Sequence, residues 1–225
     1  MSKENSLKAV IFDLDGVITD TAEHHYQAWK AIANELGIPF TREFNEKLKG
    51  VSRMDSLKLL LTQAKTPVSY SDEEMEQLAD RKNKIYVDLI ETITPADLLP
   101  GIKEFIAEIR SSGMKTGIAS ASKNAIAVLT RLGVMDQFDV IVDVVKLKNS
   151  KPDPEIFLTA AAELEVEPNN CIGVEDAASG VDAIKAANMF AVAIGNSANF
   201  PHADIVLSST AELNFQELAR AFEGN

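Results

Sequence analysis

Short apolar, β-branched runs occupy residues 8–12 and then recur at 115–119, 140–142, 171–174, 190–194 and 204–207. Between the later runs the apolar positions switch to helical spacing. Ile102, Phe105, Ile106 and Ile109 follow the i, i+3, i+4, i+7 pattern of one helix face. Ile156, Phe157, Ala160, Ala161 and Leu164 repeat it, with Asp153 predicted as N-cap and Pro154 as the first helical residue. Ser122 precedes a third helix that Gly133 is expected to end. Short strands alternating with amphipathic helices predict a parallel sheet covered on both faces, a doubly wound α/β core of Rossmann-like type.

The stretch from Ala22 to Ile93 carries no strand pattern. Tyr26, Trp29, Ala33 and Leu36 mark one helix, Leu57, Leu60, Leu61 and Ala64 a second, and Leu78, Ile85 and Leu89 a longer third. The prediction is therefore a helical cap domain, residues 20–94, inserted after the first strand of a core formed by 1–19 and 95–225. The linkers are expected near 17–21 and 94–100.

A length of 225 residues suits one large domain or two small ones. With 22 basic against 34 acidic residues the net charge is -12, which repels polyanions and excludes a general nucleic-acid or anionic-membrane binder. An anionic ligand would need a local basic cluster or a metal. Cys171 is the only cysteine, so an intrachain disulfide and a zinc ribbon are both excluded. The polar residues 1–8 and the short run stopped by Asp13 do not form a signal peptide. The uncharged stretch from Ala186 to Ala203 is broken by Gly195, Asn196, Asn199 and Pro201 and is no membrane span. A soluble, cytoplasmic monomer is expected.

In an open α/β sheet, ligands bind beyond the carboxyl ends of the strands. Asp13-Leu14-Asp15-Gly16 follows the first run, and Ser120-Ala121-Ser122-Lys123-Asn124 follows the second. Lys151-Pro152 comes after the third by way of a loop, and Glu175-Asp176 follows the fourth. Any one of these acids alone is more often a turn residue or a helix cap, and Lys151 alone is most often solvated. Their joint occurrence changes the weighting. Four carboxylates at one edge repel by roughly 4 kcal/mol per pair at 4 Å and an effective dielectric of 20. A divalent cation relieves that repulsion, and an all-oxygen set suits Mg²⁺. Carboxylate, cation, hydroxyl and lysine together are parts for phosphoryl transfer: one carboxylate attacks phosphorus, while the cation and lysine neutralise the moving charge. A second carboxylate two residues along an extended chain points to the same side and can act as acid and base.

The pattern Asp13-Leu14-Asp15-Gly16-Val17, Ser120, Lys151-Pro152-Asp153-Pro154 and Glu175-Asp176 resembles the four motifs of the haloacid dehalogenase-like phosphotransferase superfamily. The resemblance implies Asp13 as nucleophile and Asp15 as general acid/base, with Ser120 and Lys151 holding the transferring phosphoryl group. It implies Mg²⁺ on the Asp13 carboxylate, the Asp15 carbonyl and Asp176, with Glu175 as a ligand or acting from behind. It also implies that the helical insertion is the superfamily's cap.

Closer matches lie in Asp20-Thr21-Ala22-Glu23-His24-His25, Leu48-Lys49-Gly50-Val51-Ser52-Arg53, Arg81-Lys82-Asn83 and Ala119-Ser120-Ala121-Ser122-Lys123-Asn124. Together they resemble the β-phosphoglucomutase family. That implies interconversion of β-D-glucose 1-phosphate and glucose 6-phosphate, with glucose 1,6-bisphosphate as intermediate and activator. A bisphosphate needs two anion sites. The distal one is expected from Lys49, Gly50, Val51, Ser52 and Arg53 of the cap, with Lys82, and from Ser122, Lys123 and Asn124 at a helix N-terminus. Without the resemblance, Lys49 and Arg53 read more simply as an exposed helix end. His25 is expected to orient Asp15 or Thr21 or to sense closure, although a lone histidine is more often structural; Trp29, Tyr26 and Leu36 read as cap core. Met54 departs from the family's usual acidic residue. The alternatives are a sugar-phosphate phosphatase, or a non-catalytic sugar-phosphate sensor, against which the intact Asp13/Asp15 pair argues.

Overall fold

The computed structural model describes residues 6–64 and 69–224, so the polar residues read at 1–5 lie outside the described part. Every apolar run identified above contributes a strand: β1 (Ala9–Phe12), β2 (Lys115–Ile118), β3 (Val140–Ile141), β4 (Cys171–Glu175), β5 (Phe190–Ile194) and β6 (Ile205–Leu207). All pairings are parallel, in the order β3-β2-β1-β4-β5-β6. The order reverses at β1, and at such a switch point an α/β sheet leaves its binding crevice open.

The helices are α1 (Ala22–Glu35), α2 (Arg42–Glu46), α3 (Arg53–Leu61), α4 (Asp72–Ile90), α5 (Ile102–Ser111), α6 (Ala125–Leu132), α7 (Glu155–Glu163), α8 (Ala178–Ala186) and α9 (Phe215–Glu223). Both faces of the sheet are buried, and the period of two sorts the side chains. Val10 and Phe12 join Phe105, Ile109, Val128 and Phe222 on one face, whereas Ala9 and Ile11 join Phe157, Ala160 and Ile184 on the other. Phe12 is fully buried, edge-on to Phe105 and Phe138, and a ring of that kind stabilises by about 1.5–3 kcal/mol.

Gly133 ends α6 in the left-handed conformation, as its sequence position predicts. The start of α7 differs from expectation. Pro154, not Asp153, is the N-cap, and the helix begins at Glu155. The Asp153 carboxylate still accepts from the Glu155 N–H at 2.9 Å, so it caps from one residue further out.

The described residues between 22 and 90 are mostly helical and have their own core, in which Trp29, Ile32, Leu57, Leu60 and Leu78 pack together. Met54 packs against that cluster, which gives the departure noted above a structural role. Ser71 and Glu74 form a capping box at the start of α4. At the other end of the segment, Ala28, Tyr86 and Ile90 belong to the core beneath the sheet. The two predicted linkers lie against each other. Thr19 bridges Leu98, the Leu99 N–H donates to the Ile18 carbonyl at 3.0 Å, and Thr19 Oγ1 donates to the Asp97 carbonyl at 2.7 Å.

Candidate active site

The register of β1 places its C-terminal residue. Phe12 is opposite Val174 on one side and Ile118 on the other, so the next residue, Asp13, emerges between Glu175 and the Ala119-Ser120 turn. The Asp13 N–H extends the ladder to the Val174 carbonyl at 2.9 Å. Lys151 comes from the loop after β3, and its Nζ donates to Asp13 Oδ1 at 2.7 Å and to Glu175 Oε1 at 2.6 Å. All three side chains are buried. The other Glu175 oxygen accepts from the Asp176 and Ala177 N–H groups, each at 2.8 Å. Glu175 thus holds Lys151 on one oxygen and the start of the next turn on the other.

Two glycines make room for these acids. A Cβ on Gly180 would lie 1.8 Å from Glu175 Oε1, and one on Gly16 would lie 2.1 Å from Asp176 Oδ2. Gly16 also has φ +80°, a backbone state other residues rarely take.

Asp13, Glu175 and Asp176 each offer a carboxylate oxygen within 4.8 Å of the others. Burial, aided by Glu175 and Asp15 and opposed by Lys151, pushes the Asp13 pKa up to about 7. Burial, Glu175 and Asp13 push Asp176 well above the usual carboxylate range, against the pull of Lys49. For Lys151, burial disfavours the charge, but Asp13 and Glu175 outweigh it and raise the pKa. One lysine therefore leaves this cluster short of positive charge, and its hard oxygen donors fit a divalent cation such as Mg²⁺.

Asp15 lies toward the helical segment. Thr21 Oγ1 donates to Asp15 Oδ1, and His25 Nε2 is 3.7 Å from Asp15 Oδ2. His25 is stacked on Tyr86 with centroids 4.1 Å apart, and its Nδ1 is 2.8 Å from Lys82 Nζ. Burial and the Lys82 charge lower the His25 pKa, so the ring is neutral near pH 7. While Lys82 carries its proton it can only donate, so Nδ1 accepts and the ring proton stands on Nε2, the atom facing Asp15.

Lys82 is itself buried over the rings of Trp29 and Tyr86, at 5.0 and 4.7 Å. Burial and the nearby Arg53 lower its pKa to about 7. A depressed lysine pKa means the charged form is disfavoured in the fold, so this cost is full below pH 7 and fades toward pH 10. Lys82→Met should therefore raise the unfolding temperature at pH 7, with the gain over wild type shrinking as pH approaches 10. Thermal melts of both proteins across that range check it; a gain that grows with pH would contradict the account.

A cavity separates the helical segment from the sheet edge. Asp13, Asp15, His25, Asp176, Lys49 and Gly50 line it, as do Val51, Arg53, Lys82, Ser122, Lys123 and Asn124. Five predicted site residues are not on its wall. Thr21 is buried beneath Asp15; Ser120 is buried, with its Oγ accepting from the Ser122 N–H at 3.1 Å; Lys151 and Glu175 pack beside Asp13. Ser52 caps α3 instead, accepting from the Asp55 N–H and donating to Asp55 Oδ2 at 2.6 Å. Asp55 in turn accepts from Ser150 Oγ at 2.9 Å, tying α3 to the residue before Lys151. Ser56 and Asn45, which carry no motif in the sequence, also line the cavity, as does Asp20 of the matching stretch 20–25. Trp29, read as cap core, is both core and cavity wall. Cys171 takes no part: burial pushes its thiol up to about 12.

The buried acid–lysine layer at the end of β1 and the cavity under a helical insertion match one class of phosphotransferase scaffold. The chain belongs to the haloacid dehalogenase-like hydrolase family, whose model matches residues 7–188. It is 48% identical over 217 residues to β-phosphoglucomutase of Bacillus subtilis, covering 96% of each chain. The crystal structure of β-phosphoglucomutase from Clostridium difficile superposes with a TM-score of 0.95 at 50% identity, over 97% of this chain and 98% of that one. Hexitol phosphatase B of Escherichia coli K12 is 32% identical, over 97% of this chain and 99% of its own. Among the described residues, no helix is long and apolar enough to cross a membrane.

Proposed function

We propose that the protein is a Mg²⁺-dependent β-phosphoglucomutase, converting β-D-glucose 1-phosphate and glucose 6-phosphate through a phosphoenzyme and glucose 1,6-bisphosphate. The observation that carries this reading is one cavity whose wall holds both the nucleophile and a second set of anion-binding groups. Asp13 lies on that wall beside Lys151, and Arg53, Lys123 and Asn124 lie on it too. A phosphatase needs only the first set, whereas a bisphosphate engages both. The 48% identity to the Bacillus mutase points the same way.

Asp13, Asp176 and the Asp15 carbonyl would hold the metal, with Glu175 behind them; when bound, it neutralises the acids and the phosphoryl oxygens. In the first transfer, Asp15 takes the proton of the free 6-hydroxyl of β-glucose 1-phosphate, whose oxygen bonds to phosphorus as the bond from phosphorus to the Asp13 oxygen breaks, giving glucose 1,6-bisphosphate and a free Asp13 carboxylate. The bisphosphate then reorients. In the second transfer, a carboxylate oxygen of Asp13 bonds to the phosphorus on O1 as the bond from that phosphorus to the sugar oxygen breaks, and Asp15 gives its proton to the departing oxygen, leaving glucose 6-phosphate and phospho-Asp13. Lys151 and Ser120 steady the moving phosphoryl group. The helical segment 20–94, hinged at the paired linkers, acts as the cap that keeps water from the acyl phosphate.

The test is direct. With β-glucose 1-phosphate, Mg²⁺ and trace bisphosphate, glucose 6-phosphate should form in large excess over inorganic phosphate. The hexitol phosphatase likeness favours a second reading, a sugar-phosphate phosphatase, which predicts the reverse. Arg53→Ala removes only the distal grip. It should lower mutase kcat/KM by about 10²-fold, the worth of roughly 3 kcal/mol of charge-assisted hydrogen bonds, while hydrolysis of a small acyl phosphate changes less than about twofold. Equal losses would assign Arg53 to the Asp13 end.

A further inference from the structure

Asn83 lies on α4 and does not line the cavity, yet it touches two residues that do. Its Oδ1 accepts from Arg53 Nη2 at 2.8 Å and from Asn124 Nδ2 at 2.8 Å. Arg53 belongs to α3 of the helical segment, and Asn124 is the N-cap of α6 in the sheet domain. One carboxamide oxygen thus joins the two parts of the molecule through two residues of the cavity wall. The other partner of Arg53 is weak by comparison: Asp80 is 3.8 Å away and exposed.

We propose that Asn83 is a positioning residue that assembles the distal phosphate site, by holding the arginine of the cap and the asparagine of the core at a common point. The inference rests on the mutase reading and names the residue through which that reading gets its second phosphate grip. A guanidinium has five N–H donors and a carboxamide has two. One donor from each is consumed on Asn83 Oδ1, and this fixes the planes of both groups so that the rest can converge on an anion. Arg53 on a free four-bond stem would have to be ordered by the ligand itself, at a cost in affinity. Because the acceptor is a neutral amide, it orients Arg53 without cancelling its charge, whereas a carboxylate there would orient it equally well and repel a phosphate dianion. The bridge also makes the distal site whole only while cap and core are together, so a sugar phosphate draws the cap closed.

The test uses Asn83→Ala and Asn83→Asp in the full chain, with two reactions followed in each: conversion of β-glucose 1-phosphate, and hydrolysis of a small acyl phosphate, which needs only the Asp13 end. Asn83→Ala should raise KM for the sugar phosphate about tenfold with kcat within about threefold, and leave acyl phosphate hydrolysis within about twofold. Asn83→Asp should melt within a few degrees of wild type and raise KM further than alanine does, because it keeps both hydrogen bonds and adds a negative charge. In the Arg53→Ala background, Asn83→Ala should add no more than about threefold, since one of the two groups it positions is gone. An unchanged KM in Asn83→Ala, equal losses in both reactions, or full additivity with Arg53→Ala would overturn the proposal. Wild-type protein that releases only inorganic phosphate from the sugar would instead overturn the mutase reading.

Discussion

Asp13→Asn should abolish covalent phosphorylation and lower mutase turnover by at least about 10⁴-fold, because an amide does not attack phosphorus and the two-step route has no other nucleophile in place. Mass spectrometry of the protein after exposure to a small acyl phosphate reads the covalent group directly, and labelled phosphate retained on the variant would refute the assignment. The same substitution has a second consequence of opposite sign. Burial pushes the Asp13 pKa up to about 7, so its charge disfavours the metal-free fold above that pH. This destabilisation begins above the pKa of the unfolded chain and is complete above 7, so metal-free wild type gains stability as pH falls from 7 toward 4. Metal-free Asp13→Asn should therefore melt no lower than wild type at pH 8, and the difference should shrink in acid. Loss of activity with retained stability separates a chemical role from a structural one.

Asp15→Ala should split the reaction in two. A small acyl phosphate carries a good leaving group, so phospho-Asp13 should still form. Return of the phosphoryl group to a sugar hydroxyl needs a base, and that step should slow by about 10²–10⁴-fold. The expected result is a phosphoenzyme that accumulates and persists after glucose 6-phosphate is added, seen as a retained mass increment. Transfer at within tenfold of the wild-type rate would show that Asp15 is not the base. The side chain is well placed to be held for such work, with Thr21 on one carboxylate oxygen and the neutral His25 ring facing the other.

Much of this was legible in the sequence because parallel strands announce themselves as apolar runs with abrupt ends. Asp13, Ser120 and Glu175 stand where such runs stop, and parallel pairing brings those stops to one edge. The bond from Lys151 to both Asp13 and Glu175 was not legible, since a lysine before a proline has no local signature of burial. The short α2, Arg42–Glu46, escaped for want of apolar periodicity: Thr41 caps it and Phe44 is its one large apolar residue. Asp153 was misassigned by one position because an acid before proline fits two adjacent cap registers. Contacts between distant segments, such as Asp55 with Ser150 or Asn83 with Asn124, depend on how the helical segment meets the sheet domain. Only the assembled fold supplies that.

The glycines carry a related lesson. Gly16 leaves the space into which the Asp176 carboxylate reaches at the end of β1. Gly180 lies in α8, and Glu175 fills the space that a side chain there would take, a closeness that only the packed structure supplies.

The most direct measurement is a single-turnover partition. Protein carrying labelled phosphate on Asp13 is mixed with glucose 6-phosphate and Mg²⁺, and the products are separated before a second cycle. The account predicts that the label moves chiefly into glucose 1,6-bisphosphate, faster than it appears as inorganic phosphate. Label released to water at the same rate with or without the sugar phosphate would contradict it.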